Sequence, residues 1–364
     1  MGFENIIGQK RVKSILERIL ISKRLPHALL FHGPEGVGKE AVALEFAKAL
    51  FCQQDAIYCN KCSDCHRVAQ LSHPDLLVIF PAPKQPKVEE LQSVRQSLAQ
   101  QPYKRYQPWA NPFILIDMIR ELKKTVALTS YENKGRVVLI LDAHRMTVEA
   151  ANSLLKILEE PLGKTTLILV SSQINLLLPT IVSRCQQVRF DPLRWEEIEQ
   201  ALIEQAHLAP EKAQLYARMC FGNYRRALEL ADENIQERQE LMLNILRKVL
   251  LSDLDILQLA EQLVQQEDRK TVKELLQLMV IWFRDAMLLS LHPNHADGTE
   301  KVVNIDRLPT LEKFISSLAD IDYEQVIGRI ERAIEYMDRN VYLNVILLEL
   351  LFELKKFLRR KKHV

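Results

Sequence analysis

The sequence lacks the features that would place it in a membrane or bind it to a polyanion through its overall charge. Its 364 residues carry 49 Lys and Arg against 47 Asp and Glu, a formal net charge of +2. Contacts with nucleic acid would therefore have to come from local patches. No uninterrupted run of roughly 18 apolar residues occurs, which excludes a transmembrane helix. The first residues also lack the charged and apolar regions of a signal peptide, so we expect a cytoplasmic protein with no membrane partner.

Cysteine is scarce and unevenly distributed. Four of the six cysteines fall close together, at Cys52, Cys59, Cys62 and Cys65. Short gaps between thiols suit a tetrahedral Zn²⁺ site, whereas a cytoplasmic location disfavours disulfides. Four thiolate ligands leave no open position on the metal, so the spacing predicts a structural zinc rather than a catalytic one.

Segments rich in β-formers alternate with helix formers in the first half of the chain. Strands are predicted at residues 27–31, 75–80, 136–142 and 165–171, and helices at residues 6–25, 40–51 and 147–160. This alternation favours a parallel sheet with helices on both faces. From Trp195 onward apolar residues recur at helical periods instead. We predict an α/β domain over residues 1–191, a small helical domain over residues 192–235 and a larger helical domain over residues 236–364.

The segment HGPEGVGKE, residues 32–40, has the spacing of a phosphate-binding loop. Gly33 and Gly38 would let backbone N–H groups converge on phosphate oxygens, and Lys39 would add a positive charge. A predicted strand precedes the loop and a predicted helix follows it, as the motif requires. The next position, however, is Glu40, where Ser or Thr would hold Mg²⁺.

A second position that handles metal or water is altered as well. Asp142 ends the best predicted strand, in the place of the acid that assists the Mg²⁺ shell. Ala143 follows it, where a Glu would activate the attacking water. Glu40 would also bring negative charge close to phosphates, at a cost on the order of several kcal/mol in a low-dielectric pocket. These changes predict that the chain does not hydrolyse ATP, and binding of ATP and Mg²⁺ without hydrolysis stays open as an alternative.

Several short segments follow one another along the chain in an order that, taken together, is typical of one protein family. They are GPEGVGK, the four-cysteine insert, SHPD at 72–75, VVLILDAHRMT at 137–147, AANSLLKILEEP at 150–161 and IVSRC at 181–185. Together they resemble the AAA+ clamp-loader subunits of bacterial DNA polymerase III, densely over roughly the first 190 residues. The resemblance implies an α/β AAA+ domain with a zinc module at residues 52–65, a helical lid, and a C-terminal helical collar through which subunits oligomerise.

Within this family, Glu40 and Ala143 resemble the delta-prime branch rather than the ATP-hydrolysing tau/gamma branch. The resemblance implies an accessory polymerase subunit that takes part in ATP-dependent loading of the sliding clamp onto primed DNA. Its implied partners are tau/gamma and delta subunits in a hetero-pentamer; direct contact with the clamp is left open. Two alternatives remain: a tau/gamma-type ATPase with variant motifs, and a zinc-containing DNA-binding repair adaptor.

The resemblance also assigns roles to individual residues. Arg184, in the Ser183-Arg184-Cys185 motif, would act in trans as an arginine finger at the ATP site of a neighbouring subunit. Ser172 matches the sensor 1 position and Arg225 the sensor 2 position. Together with the altered phosphate loop and Asp142, these two residues would form a degenerate nucleotide site.

Two further segments depart from the family pattern or carry a concentration of basic residues. Residues 101–113 interleave aromatic residues with Lys104 and Arg105, which could stack on and neutralise single-stranded nucleic acid. A loop pinned by its aromatic residues against its own domain is the favoured alternative. The basic residues at 355–363 could favour primed DNA or complement the dipole of a C-terminal helix.

Overall fold

The computed structural model describes residues 3–53, 58–104, 106–128, 130–132, 135–160, 163–232, 235–291, 302–318, 321–339 and 341–358. Most of the basic 355–363 segment lies outside these residues. The chain separates into two compact units, one up to Glu229 and one from Leu230 onward. The finer division into residues 1–191, 192–235 and 236–364 stays a prediction.

A parallel sheet forms the centre of the first unit, which confirms the predicted α/β class. Its five described strands are β1 (Ala28–His32), β2 (Leu76–Ile79), β3 (Arg136–Ile140), β4 (Thr165–Ser171) and β5 (Gln186–Arg189). The strand order is β2-β3-β4-β1-β5, and every neighbouring pair is parallel. The carboxyl ends of all strands therefore meet at one edge, where the segments after β1, β3 and β4 lie close together.

Helices accompany the sheet and extend the first unit beyond it. They are α1 (Lys10–Ser22), α2 (Lys39–Phe51), α3 (Ser63–Ala69), α4 (Val88–Gln100), α5 (Ile116–Ala127), α6 (Val148–Glu159), α7 (Pro179–Val182), α8 (Trp195–Glu204), α9 (Pro210–Met219) and α10 (Tyr224–Asp232), whose last three residues lie beyond the boundary at Glu229. One hydrophobic cluster joins inward residues of the sheet, such as Val138, to residues of α5 and α6, such as Ile119 and Leu154. This burial is the main favourable term that holds the strand ends in place.

Helix α1 and strand β5 show two kinds of departure from the sequence-based prediction. Helix α1 starts at Lys10 rather than at residue 6, because Gly8 and Gln9 adopt left-handed φ values of 54° and 52°. Strand β5 was not predicted. It lies at an edge of the sheet and buries only Val188, so its sequence carries almost no hydrophobic signal.

The second unit is helical over its described residues. Its helices are α11 (Ile235–Val249), α12 (Asp253–Gln266), α13 (Arg269–Leu291), α14 (Leu308–Ser317), α15 (Tyr323–Asp338) and α16 (Leu343–Phe357). Trp282 and Phe283 of α13 are buried and meet Phe314 edge-on, with ring centroids 5.9 and 5.8 Å away. Nowhere in the described part of the chain does a helix combine the length and apolarity that a bilayer span requires.

Candidate functional site

The glycine loop connects β1 to α2 at the carboxyl edge of the sheet. Gly36 and Gly38 have φ values of 69° and 90°. A Cβ atom on Gly36 would lie 1.6 Å from Asn223 Oδ1, and one on Gly38 would lie 2.7 Å from Tyr103 Cε1. Glycine is required at both positions because other parts of the same unit approach the loop closely.

Lys39 turns back onto its own loop. Its Nζ lies 2.9 Å from the carbonyl oxygen of Gly33 and also donates to the carbonyl oxygen of Pro34. The residue is buried, and burial lowers the pKa of Lys39 to about 8. The ammonium group is therefore already engaged by backbone acceptors of the loop that would cradle a phosphate.

Glu40 and Arg225 form an ion pair beside that loop. Arg225 Nη2 lies 3.1 Å from Glu40 Oε2, and the two side chains are only 12% and 10% exposed. Arg225 also reaches Glu35 Oε1 at 3.0 Å and the carbonyl oxygen of Tyr103 at 3.1 Å. Arg225, at the predicted sensor 2 position, thus contacts three groups of its own chain: two carboxylates and one backbone carbonyl.

One cleft collects most of the residues predicted for the nucleotide site. It is lined by Glu35, Gly36, Gly38, Lys39, Glu40, Pro102, Tyr103, Asp142, Ser172 and Arg225. The structure therefore brings Asp142 and Ser172 next to the loop, as the parallel sheet predicts. Gly33 is not among the lining residues. Sequence reasoning missed Pro102 and Tyr103, for which the aromatic residues of segment 101–113 were the only signal.

Asp142 follows β3 with a left-handed φ of 47° and is largely buried. Its Oδ2 lies 4.0 Å from Arg145 Nε. The following Ala143 is fully buried and offers no group that could activate water. Ser171, at the end of β4, lies 3.3 Å from His144 Nδ1. This side of the cleft keeps an acid at the position predicted to assist Mg²⁺, but Ala143 after it cannot act as a general base.

Arg184 lies outside this cleft, just beyond α7. Its side chain is 38% exposed, and its Nη2 contacts Glu159 Oε1 at 2.8 Å. Its Nη1 donates to the carbonyl oxygen of Thr180 at 3.1 Å. The following Cys185 is buried in the core of the unit. The buried Cys185 thus fixes the backbone next to Arg184, while the guanidinium group of Arg184 stays accessible at the surface.

The four predicted cysteine ligands converge on one point. The Sγ atoms of Cys52, Cys59, Cys62 and Cys65 all lie within 4.8 Å of one another. Cys59 Sγ and Cys65 Sγ are 3.9 Å apart, close to the roughly 3.8 Å that tetrahedral Zn–S bonds of about 2.3 Å would give. The backbone N–H of Cys62 points at Cys59 Sγ at 3.3 Å, which stabilises negative charge on sulfur. The donor set fits a closed tetrahedral metal site.

A second cluster of metal-ligand types adjoins the cysteines, but its chemistry disfavours a metal. His73 Nε2 lies 3.8 Å from carboxylate oxygens of both Asp64 and Glu132. His73 Nδ1 accepts a hydrogen bond from the backbone N–H of Asp75, so a neutral ring carries its proton on Nε2 and cannot ligate through it. Burial lowers the pKa of His73, which favours that neutral form. Arg67 bridges the two carboxylates instead.

Two of the four aromatic residues of segment 101–113, Tyr103 and Trp109, pack against their own domain. Tyr103 is buried, and its hydroxyl accepts a hydrogen bond from the backbone N–H of Ile7 at 3.0 Å. Trp109 donates to Glu90 at 2.8 Å and is stacked near Phe80. Tyr106 and Phe113 are about half-exposed, and residue 105 lies outside the described residues. The contacts of Tyr103 and Trp109 fit the pinned-loop alternative.

Three features define a P-loop protein of the AAA+ class. They are a parallel sheet with this strand order, a glycine loop after β1, and a helical segment that returns to the loop. The sequence profile of the family described as "DNA polymerase III, delta subunit" matches residues 8–194. This is just over half of the chain, and the chain belongs to that family.

Three relatives illustrate the range of similarity. The DNA polymerase III subunit delta' of Bacillus subtilis is 34% identical over 237 residues, which cover 64% of this chain and 63% of the relative. The subunit delta' of Pseudomonas aeruginosa is 40% identical over 163 residues, 44% of this chain and 42% of the relative. The subunit tau of Bacillus subtilis is 26% identical over 325 residues, 82% of this chain and 52% of the relative. The chain thus spans less than two thirds of the length of each.

Proposed function

We propose that this chain is a delta-prime-like subunit of a DNA polymerase III clamp loader. In this role it takes part in ATP-dependent loading of a sliding clamp onto primed DNA but does not hydrolyse ATP. Its partners would be tau/gamma and delta subunits in a cytoplasmic hetero-pentamer that assembles through the C-terminal helices. Family membership and the relatives that carry the delta' name support this proposal.

The observation that carries the proposal is the contrast between the chain's two candidate sites. Its own cleft holds the Glu40–Arg225 ion pair and lacks a general base after Asp142. Arg184, by contrast, lies at the surface outside that cleft. A guanidinium group in this position could enter a neighbour's ATP site and stabilise charge that develops on the γ-phosphate. The residue would then act in trans rather than on a nucleotide bound to its own chain.

Zn²⁺ is the metal that we propose for the four-cysteine cluster. Cys52, Cys59, Cys62 and Cys65 would hold it, and four thiolates would leave no position for a substrate. The metal would therefore fasten the segment between α2 and β2 and take no part in the reaction.

The test is Arg184→Ala in a clamp loader reconstituted with its partner subunits. Because an arginine finger is worth about 10³ to 10⁵ in rate, we expect a loss of at least about 100-fold in DNA-stimulated ATPase, with assembly unchanged. Arg194→Ala is the control, because it also removes an exposed, ion-paired arginine of the same unit. Unchanged turnover in a fully assembled Arg184→Ala complex would overturn the assignment.

A tau/gamma-type ATPase is the second candidate, because the tau relative matches 82% of this chain, more than the 64% matched by the delta' relative from the same organism. ATP turnover by the isolated chain, abolished by Lys39→Ala, would favour this candidate. Affinity purification with quantification of the co-purifying subunits would separate the two roles by the number of copies of this chain per complex.

A further inference from the structure

The phosphate loop is surrounded by groups of the chain itself. Glu40 lies in the first turn of α2, where a P-loop protein places the hydroxyl that ligates Mg²⁺. From the other side, Asn223 fills the space beside Gly36, and Arg225 reaches Glu40 at 3.1 Å. The segment 223–226 is therefore seated directly on the loop.

Burial makes this ion pair energetically important. The Arg225 side chain is 12% exposed and the Glu40 side chain 10% exposed. A guanidinium group so far removed from water needs an anionic partner, since an unpaired buried charge is strongly destabilising. In a nucleotide-bound P-loop protein a phosphate can supply that negative charge. Here the negative charge comes from Glu40, with Glu35 as a second and mostly exposed partner.

Tyr103 adds an uncharged element to the same arrangement. Its ring lies against Gly38, its hydroxyl accepts from the backbone N–H of Ile7, and its carbonyl oxygen accepts from Arg225 Nε. Its ring also meets Tyr224 edge-on, with centroids 5.1 Å apart. One residue of segment 101–113 thus joins the N-terminal segment, the loop and the 223–226 segment.

We propose that Glu40 is a resident anion that replaces a nucleotide phosphate and, with Tyr103, holds the 223–226 segment closed on the loop without nucleotide. The inference deepens the proposed function and rests on its claim that this chain does not use ATP. Gly38, Lys39, Asp142 and Ser172 still line the cleft as the remaining parts of a phosphate-binding site. The cleft is therefore a latent site for a Mg²⁺-bound nucleoside di- or triphosphate, closed by a carboxylate of the chain.

The test is a gain of binding in the isolated full-length protein. Glu40→Thr removes the resident charge and supplies a hydroxyl for Mg²⁺, while Glu40→Gln removes only the charge. The probe is a fluorescent ADP analogue with Mg²⁺, followed by anisotropy. We expect Glu40→Thr to bind at least about tenfold more tightly than the wild-type protein, and Glu40→Gln to fall between the two.

A matched control is available on the same helix. Glu45 is also nearly buried, at 12% side-chain exposure, and is paired with Lys48 at 2.7 Å, but it does not line the cleft. Glu45→Gln should therefore leave nucleotide affinity at the wild-type level. Circular dichroism would establish that each variant is folded.

Hydrogen exchange of the peptide that covers residues 223–232 provides a second readout. Without nucleotide, Glu40→Gln and Glu40→Thr should exchange faster there than the wild-type protein, and Mg²⁺-ADP should slow exchange in Glu40→Thr again. Equal exchange in all three proteins, or wild-type nucleotide affinity as high as that of Glu40→Thr, would overturn the inference. Neither result would bear on Arg184, whose role is read from the ATPase of the assembled complex.

Discussion

At the scale of single residues, the phosphate loop shows how a glycine can be required by a contact as well as by its backbone angle. Gly36 and Gly163 have similar left-handed φ values of 69° and 62°. A Cβ on Gly36 would collide with Asn223, whereas one on Gly163 would meet nothing within 4 Å. The two positions share a similar left-handed φ and differ in the contact that a side chain would make.

The pair therefore gives a controlled prediction for stability. Gly163→Ala should lower the free energy of unfolding by about 1 kcal/mol, from the backbone conformation alone. Gly36→Ala should lower it by about 2 to 4 kcal/mol, because Asn223 must also move. Urea unfolding of the two variants measures the difference. Equal losses would show that the loop accommodates a methyl group and that the contact with Asn223 is loose.

At the scale of elements, α6 links the core of the first unit to the exposed arginine. Its first turn is capped by Thr147, whose Oγ1 accepts from the backbone N–H of Ala150 at 3.3 Å. Its last residue, Glu159, contacts Arg184 at 2.8 Å. The orientation of α6 thus bears on the side chain that we propose as a finger.

Removal of the Thr147 cap should lower the free energy of unfolding, whereas a substitution that keeps the hydroxyl should not. Thr147→Ala leaves a backbone donor of the first turn without its side-chain acceptor, and we expect a loss of about 1 kcal/mol in the free energy of unfolding. Thr147→Ser keeps the acceptor oxygen and should stay within about 0.5 kcal/mol of wild type. Thermal or urea unfolding distinguishes them, and an equal loss in both variants would assign the effect to the methyl group rather than to the cap.

The elements also show where sequence patterns are reliable. Strands β3 and β4 are β-branched or aliphatic throughout their centres and buried along their length, and the sequence predicts both. Strand β5 buries one residue in four, so it carries almost no local signal. It forms because β1 offers a free edge, and that is a property of the sheet.

At the scale of the whole molecule, we propose that the four-cysteine cluster stabilises the first unit by binding a metal. The segment 52–62 joins α2 to α3, and Cys65 of α3 is buried. The sequence of this segment, CQQDAIYCNKC, includes few apolar residues. A bound metal would therefore supply much of the energy that orders it.

Metal removal should be measurable in both composition and stability. We expect about one equivalent of zinc per chain by elemental analysis, and a lower melting temperature after chelation. Cys62→Ser should lose the metal, while Cys220→Ser, which alters a buried cysteine outside the cluster, should keep it. Zinc retained in Cys62→Ser, or absent from the wild-type protein, would contradict the assignment.

The sequence by itself determined the features that depend on local order: the parallel sheet, the glycine loop with Lys39, the acid after β3 and the spacing of four thiols. Each follows from periodicity or from short spacing along the chain. Only the tertiary structure decided what surrounds the loop, because those contacts join residues far apart in sequence. Arg225 meets Glu40 across 185 positions and Tyr103 across 122. No local sequence pattern specifies such partners. Because the Glu40–Arg225 ion pair is buried, these contacts determine what occupies the space around the phosphate loop.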